Sequence, residues 1–371
     1  MLNDDDSSPA SSVDTYWGRS VYEGNPPWKL NWNTGGGYFA ISAKPFSAGD
    51  RILLEHPTTW TQAWHPFSES DMVAIENGVD TLSPGMRSAF HDVSFALQTE
   101  TFAFAPFTSD EKIAFYEMSN MYPEVTPTSA GIYMTNSFDM PDYGDADADE
   151  PEHASGMFLA IGRLNHSCLP NAQQTYIPKE YDPTPPGRAN ESTGYEVLYA
   201  TREIQEGEEL CDCYIELRQS TELRRKELRK HYRFLCTCAA CGPPDDAISS
   251  EQTKERKEND ARRTRALKLE QDMTTFAEMG EIEMATDLGV ELVKLLEHSK
   301  STGWGERYVA EACVNTSTLY QEQNQLRVAL QYLEKAHVWN VKLQGEKSAD
   351  SVATAKKISD LKASMLGKKK K

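Results

Sequence analysis

Three thiols fall within six residues at Cys236-x-Cys238-x-x-Cys241. A structural zinc ion takes four ligands in a tetrahedron, so a fourth must come from elsewhere in the chain. Cys168, Cys211, Cys213, Cys313, His231 and His166 all qualify by type, and spacing alone does not choose among them. A second concentration of chemistry is Gly162-Arg163-Leu164-Asn165-His166-Ser167-Cys168-Leu169-Pro170-Asn171, where amides, an imidazole, a hydroxyl and a thiol follow an apolar run at 157–161. Such a stretch is poor core material, and on its own it reads as a surface turn. The third is Gly207-Glu208-Glu209-Leu210-Cys211-Asp212-Cys213-Tyr214. On a strand, residues two apart share a face, which sets Cys211 and Cys213 opposite Leu210, Asp212 and Tyr214. These two thiols read as small buried hydrophobes, not ligands. Gly35, Gly36 and Gly37 form either a plain hairpin turn or a loop that brings bare backbone N–H groups close to a ligand.

The elements that must hold these groups follow from pattern. Residues 1–14 are acidic and Ser-rich and read as disordered, and residues 16–32 are aromatic without a clear period and read as irregular. A turn at 45–50 leads into a strand at 51–55. Helices are expected at 71–77 and 83–97, the second opening on Ser83 with Pro84 as its first helical residue. Residues 131–138 read as a short strand ending in a polar corner at Asn136. Residues 139–152 carry seven carboxylates and read as a solvated loop, with attraction of a basic substrate tail as the sharper alternative. Strands are expected at 172–177, 195–201 and 209–215, with a long Pro/Gly/Asn-rich loop at 178–194. Residues 217–232 form a basic helix whose charges read as a solvated face. Beyond Pro243 and Pro244, five helices are expected at 251–279, 282–298, 304–323, 325–343 and 347–366, broken at Gly280, Gly303 and Gly345. Tyr320, Ala329, Leu333 and Ala336 have the spacing of one tetratricopeptide unit, which is not an array. The basic end at 368–371 reads as a disordered tail or, less simply, a nuclear signal.

A chain of 371 residues exceeds one small core, and two or three domains are expected. The first residues lack the basic region and apolar run of a signal peptide, and nothing is apolar enough to cross a membrane, which points to the cytoplasm, the nucleus or both. Seven cysteines, in a compartment where thiols stay reduced, are ligands or free thiols. A formal charge of −19 opposes direct nucleic-acid binding and favours a basic protein or peptide partner. A monomer is expected.

Taken in this order, the three motifs resemble the SET-domain protein lysine methyltransferases, especially the SMYD-like branch in which a cysteine-rich post-SET segment and a helical tail follow the SET domain. No cysteine precedes Cys168, so the MYND zinc finger of many such relatives cannot form here. The resemblance implies an α+β fold: a β-rich, knot-like SET core with a helical insertion, a zinc-bound post-SET segment and an all-α, TPR-like C-terminal domain. The expected divisions are 1–14, 15–65 (SET N-terminal part), 66–130 (insertion), 131–218 (catalytic core), 219–242 (post-SET) and 243–367 (helical domain).

It also implies roles. Cys168 joins Cys236, Cys238 and Cys241 on zinc. Gly35, Gly36, Gly37, Asn136, Asn165, His166 and Phe234 match positions that hold S-adenosylmethionine, with Phe234 a wall for adenine. Tyr232 lines the lysine channel, and Tyr214 matches the active-site tyrosine. The expected activity is S-adenosylmethionine-dependent protein-lysine N-methyl transfer to a histone or another basic protein. Its nucleophile is a neutral amine, which an apolar channel and a nearby sulfonium both favour. The alternatives are a catalytically weak SET-like scaffold that recruits partners through its helical domain, and a zinc-dependent structural protein. Arg163 and the expanded loop at 178–194 depart from the pattern and bear on substrate choice.

Overall fold

Trp28, Leu30 and Trp32 alternate with Lys29, Asn31 and Asn33, a period of two that suits a strand lying on a core. The computed structural model, which describes residues 28–33, 37–57, 59–61, 118, 120, 128–140, 154–178, 194–298 and 303–368, makes this segment β1 (Trp28–Asn33). It pairs antiparallel with β2 (Gly37–Ser42), from Trp28 opposite Ser42 to Asn33 opposite Gly37. The irregular reading of 16–32 is therefore corrected over its last five residues. The expected tail at 1–14, helices at 71–77 and 83–97, Gly35, Gly36, residues 141–152 and 179–193 of the two loops, and residues 369–371 lie outside the described residues.

Next come β3 (Arg51–Glu55) and β4 (Thr59–Thr61). Of the expected strand at 131–138, residues 131–136 are helical and belong to α1 (Thr128–Asn136), while Ser137 and Phe138 are extended and open β5 (Ser137–Met140). A short apolar run cannot be assigned by period alone. Here the buried Tyr133 hydroxyl donates to the Ser155 carbonyl at 2.8 Å. Within the helix the side chains of Thr135 and Asn136 donate back to Gly131 and Ile132 carbonyls, both at 2.7 Å.

The chain continues through β6 (Ala154–Met157), a 3-10 turn (Ile161–Arg163), β7 (Asn165–His166), β8 (Ala172–Ile177), β9 (Tyr195–Ala200) and β10 (Cys211–Asp212). These strands form small sheets in the orders β3-β9-β8 and β4-β6-β5, both antiparallel, together with a parallel pair β7-β10. The expected strand at 209–215 keeps two ladder residues, Cys211 and Asp212, and an isolated antiparallel bridge from Glu209 to Ile41. The Leu210 N–H donates to the Ala40 carbonyl at 2.8 Å.

Helix α2 (Thr221–Tyr232) starts four residues later than expected, where the Ser220 hydroxyl accepts the Leu223 N–H. Its solvated-face reading holds at Lys226, Arg229 and Lys230, which are exposed, and is corrected at Arg224, fully buried, and Arg225, nearly so, both turned onto the cysteine segment. Helices α3 (Ser250–Glu278), α4 (Ile282–His298), α5 (Glu306–Glu322), α6 (Leu326–Gln344) and α7 (Ala349–Lys368) follow the expected breaks closely. The Ser249–Gln252 capping box starts α3.

Two cores organise this α+β fold. One lies under the sheets and includes Trp28, Phe46, Ile52, Phe158, Ile161, Leu164 and Leu210. The other fuses Cys168, Leu217, Leu228, Cys236 and Cys241 with Ala266, Leu292, Trp304, Ala312 and Trp339 of the helical part. The cysteine segment is therefore packed between the sheets and the helices. Where α6 ends, Gly345 has φ +81° and a Cβ there would lie 2.1 Å from the Tyr199 hydroxyl on β9. Only glycine permits that approach. Among the described residues no helix is long and apolar enough to cross a membrane.

Candidate active site

The sulfurs of Cys168, Cys236, Cys238 and Cys241 all lie within 4.8 Å of one another. Cys168 Sγ is 3.5 Å from Cys241 Sγ and 4.0 Å from Cys236 Sγ. A tetrahedron of sulfurs at about 2.3 Å from zinc has edges of about 3.8 Å, so the four thiols fit that ion. The backbone forms a tight knuckle, with the Cys241 and Gly242 N–H groups both donating to the Cys238 carbonyl at 2.9 Å. Cys211 and Cys213 stay out of the cluster, half-buried, and burial pushes both thiols up to about 12.

Three arginines surround the thiols. Arg224 Nε donates to Cys168 Sγ at 3.3 Å and Nη2 to Cys241 Sγ at 3.6 Å. The guanidinium is itself held by Thr221 Oγ1 and Asp260. Four thiolates on a divalent ion carry net negative charge, and a buried cation bonded to two of the sulfurs offsets it. Arg225 donates to the carbonyls of Cys236, Cys241, Gly242 and Pro243 at 2.8–3.2 Å. From α3, Arg263 donates to the carbonyls of Cys168 at 2.8 Å and Leu217 at 2.6 Å.

His166 joins the cluster to Tyr214. Its Nδ1 accepts the Tyr214 backbone N–H at 3.0 Å, which leaves the proton of the neutral ring on Nε2, 3.3 Å from Cys168 Sγ. Burial, the dominant cause, holds this imidazole down to about 4, so it is neutral near pH 7. The Tyr214 hydroxyl donates to the Leu164 carbonyl, and burial followed by the neighbouring Tyr232 pushes its pKa above the ordinary phenol range. It remains a donor at any physiological pH. The Tyr232 ring lies 4.8 Å from the Tyr214 ring and its hydroxyl donates to the Tyr214 carbonyl at 3.4 Å. Phe234 stands 6.1 Å from His166.

These groups share one cleft of about 1210 Å³, lined among others by Asn136, Asn165, His166, Tyr214, Tyr232 and Phe234. Residues from α1, β7, the segment after β10 and the segment after α2 thus meet although nearly a hundred positions separate Asn136 from Phe234. Gly37 opens β2, and among the described residues the lining does not include it. Arg233, between the two aromatics, has φ +59° and lets the chain reverse so that Tyr232 and Phe234 both face the cleft. The space suits a ligand of nucleoside size, with an aromatic wall, amides and a buried guanidinium at Arg163.

Several contributors were not singled out from sequence. Asn171, buried, donates to the Glu209 carbonyl and Glu208 carboxylate and accepts the Cys211 N–H, clamping the opening motif to the strand before Tyr214. Its place inside that motif was the available signal. Glu209 accepts the Asn165 amide at 2.8 Å, which turns the amide oxygen of Asn165 away from it. Glu55 on β3 accepts the N–H groups of Ala160 and Ile161 at 2.9–3.1 Å and so fixes the turn that launches the motif. Burial pushes this carboxyl up to about 7, against the pull of those backbone bonds. Nothing local in the sequence marks Arg307, which pairs with Asp212 from 95 residues away.

Residues 37–215 match the family model described as the SET domain. A 156-residue stretch is 31% identical to histone-lysine N-methyltransferase set5 of Schizosaccharomyces pombe, covering 42% of this chain and 40% of the relative. Another 98 residues are 34% identical to histone-lysine N-methyltransferase SMYD3 of Homo sapiens, 26% of this chain and 19% of that one. Protein-lysine N-trimethyltransferase SMYD5 of Gallus gallus is 30% identical over 129 residues, 32% of this chain and 26% of its own. The chain therefore matches less than half the length of each of these relatives.

Proposed function

Residues 37–215 are a SET domain, and on that premise we propose that the chain is an S-adenosylmethionine-dependent protein-lysine N-methyltransferase acting on a histone or another basic protein. The observation that carries this reading is the convergence of Tyr214, Tyr232, Phe234, Asn165 and His166 on one cleft beside the four-cysteine cluster. Relatives that act on histone lysine and on protein lysine more broadly support the same reading.

In this reading Phe234 provides a wall for adenine, while Asn165, Asn136 and the backbone at His166 hold the amino-acid end of the cofactor. When bound, the cofactor supplies an activated methyl group on a sulfonium. Tyr214 and Tyr232 form the lysine channel. Their buried rings disfavour the ammonium form of the entering side chain, and the Tyr214 carbonyl and hydroxyl lie where they can align the amine. The described residues offer no strong base at this point, so their contribution is alignment and exclusion of water. Zinc on Cys168, Cys236, Cys238 and Cys241 has a mechanical role, tying the segment that bears Tyr232 and Phe234 to the opening motif.

The acidic chain suits a basic partner, reached in the cytoplasm or nucleus. The test is to incubate the protein with methyl-labelled S-adenosylmethionine and a demethylated extract, beside Tyr214→Phe, and to map the label by mass spectrometry. Label on lysines of a discrete protein, lost in the variant, supports the reading. Cofactor binding without any labelled lysine would move the chain to a recruiting scaffold.

A further inference from the structure

The segment that carries Tyr214 is gripped from two sides. On one side β7 pairs with β10, and the Ser167 N–H donates to the Asp212 carbonyl at 2.8 Å. On the other side the contacts come from the C-terminal helices. Arg307 of α5 donates to Asp212 Oδ1 at 2.6 Å, and the same oxygen accepts the Cys213 N–H at 2.7 Å. Tyr308, next along α5, donates its hydroxyl to Glu216 at 2.8 Å and accepts the Leu217 N–H at 3.1 Å. Residues two before and two or three after Tyr214 are thus fixed by adjacent residues of one distant helix.

Asp212 is only 4% exposed, yet it lines the cleft. A buried carboxylate beside the place where a lysine must give up its proton is adverse, because it favours the ammonium. The groups that bear on Asp212 are Arg307 from α5, His166 across the β7 pairing, Glu196 from β9, and Glu209, Cys211, Cys213, Tyr214 and Glu216 along its own segment. Of these, Arg307 is the guanidinium bonded to the Asp212 carboxylate, at 2.6 Å.

We propose that Arg307 is a positioning residue for methyl transfer. It fixes Asp212, and through it the backbone leading to Tyr214, and it cancels the Asp212 charge at the cleft so that the substrate amine can be neutral. The C-terminal helical part is then a component of the catalytic cleft rather than an appended module. This rests on the lysine-methyltransferase reading.

The experiment is the pH dependence of kcat at saturating cofactor, with a synthetic lysine peptide taken from the protein labelled in the assay above. Wild type is compared with Arg307→Met, Asp212→Asn and the double variant, and cofactor affinity is measured for each by calorimetry. The acid limb of kcat reports loss of the amine proton in the bound complex. Arg307→Met is expected to move that limb up by about one pH unit and to lower kcat near pH 8 roughly tenfold, with cofactor affinity kept within about threefold. Asp212→Asn, which leaves the arginine unpaired, moves the limb down, and the double variant returns it to the wild-type position.

A limb that stays put in both single variants, with cofactor bound, overturns the proposal while leaving the activity standing. A wild-type protein that binds cofactor and methylates no lysine overturns the underlying reading and this one with it. If Arg307→Met does not fold, Arg307→Lys serves instead. It keeps the charge, so the limb must stay at the wild-type position while kcat falls, and an upward shift in that variant contradicts the electrostatic role.

Discussion

Tyr214 donates its backbone N–H to Nδ1 of His166 at 3.0 Å. The bond fixes the imidazole tautomer and aims Nε2 at Cys168 Sγ, so one ring carries geometry from the cysteine cluster to the cleft tyrosine. It joins the motif that bears Cys168 to the separate segment that bears Tyr214.

Zinc removal tests this coupling. Atomic emission is expected to find one zinc per chain. Stripping it with a chelator, or replacing Cys168 by Ser, should lower Tm by more than roughly 10 °C and abolish cofactor binding as well as transfer, because the segment bearing Phe234 loses its anchor. Unchanged Tm and affinity in a metal-free preparation would show four thiols that need no ion.

Arg224 has no exposed surface and touches two of the four sulfurs. Arg224→Met keeps much of its volume and removes its charge. Zinc release to a chelating dye is expected to accelerate roughly 10–100-fold, the range for loss of a group bonded to metal ligands. Release at the wild-type rate would reduce Arg224 to a packing residue.

Arg233 sits at φ +59°, a conformation that costs a residue with a Cβ and glycine nothing. Urea unfolding of Arg233→Gly should report stabilisation of about 1 kcal/mol. A loss of stability instead would mean that the arginine side chain contributes more than its backbone strain costs.

Glu55 gives a pH signature. Its folded pKa, about 7, lies above the unfolded carboxylate value, so its contribution to stability is fully present below about pH 4.5 and is lost as pH rises through 7. Glu55→Gln cannot ionise. Measured as Tm, wild type should lose ground to the variant between pH 4.5 and 7.5, by an amount equivalent to about 3 kcal/mol at most. A constant difference across that window would place Glu55 in contact with water.

The sequence made the helical half readable because Gly280, Gly303 and Gly345 punctuate long runs of helix-forming residues, and the observed helices start and stop within a few residues of those marks. The short elements were not readable in the same way. At 131–136 the chain is helical where a strand was expected, and its Tyr133–Ser155 bond is a long-range contact that no local pattern encodes. At β1 the alternation of Trp28, Leu30 and Trp32 with polar residues covers only the end of a stretch, 16–32, that has no period as a whole. In the site, Cys168 could be joined to Cys236, Cys238 and Cys241 only through resemblance, since spacing left six candidates open. The solvated-face reading fails at Arg224 and Arg225 for a physical reason that also hides Arg263 and Arg307. A guanidinium on a helix is usually solvated, and its burial depends on unpaired carbonyls, thiols and carboxylates that only the folded chain gathers around Arg224, Arg225, Arg263 and Arg307.

Cofactor and lysine are proposed to share the cleft bounded by Tyr214, Tyr232 and Phe234, and the most direct measurement of that is a crystal structure with S-adenosylhomocysteine and a lysine peptide from the labelled protein. The expected result is adenine against Phe234, the amino-acid end near Asn165 and His166, and the lysine amine between Tyr214 and Tyr232. Cofactor density anywhere outside this cleft, in crystals of protein shown to bind it, would contradict the central claim.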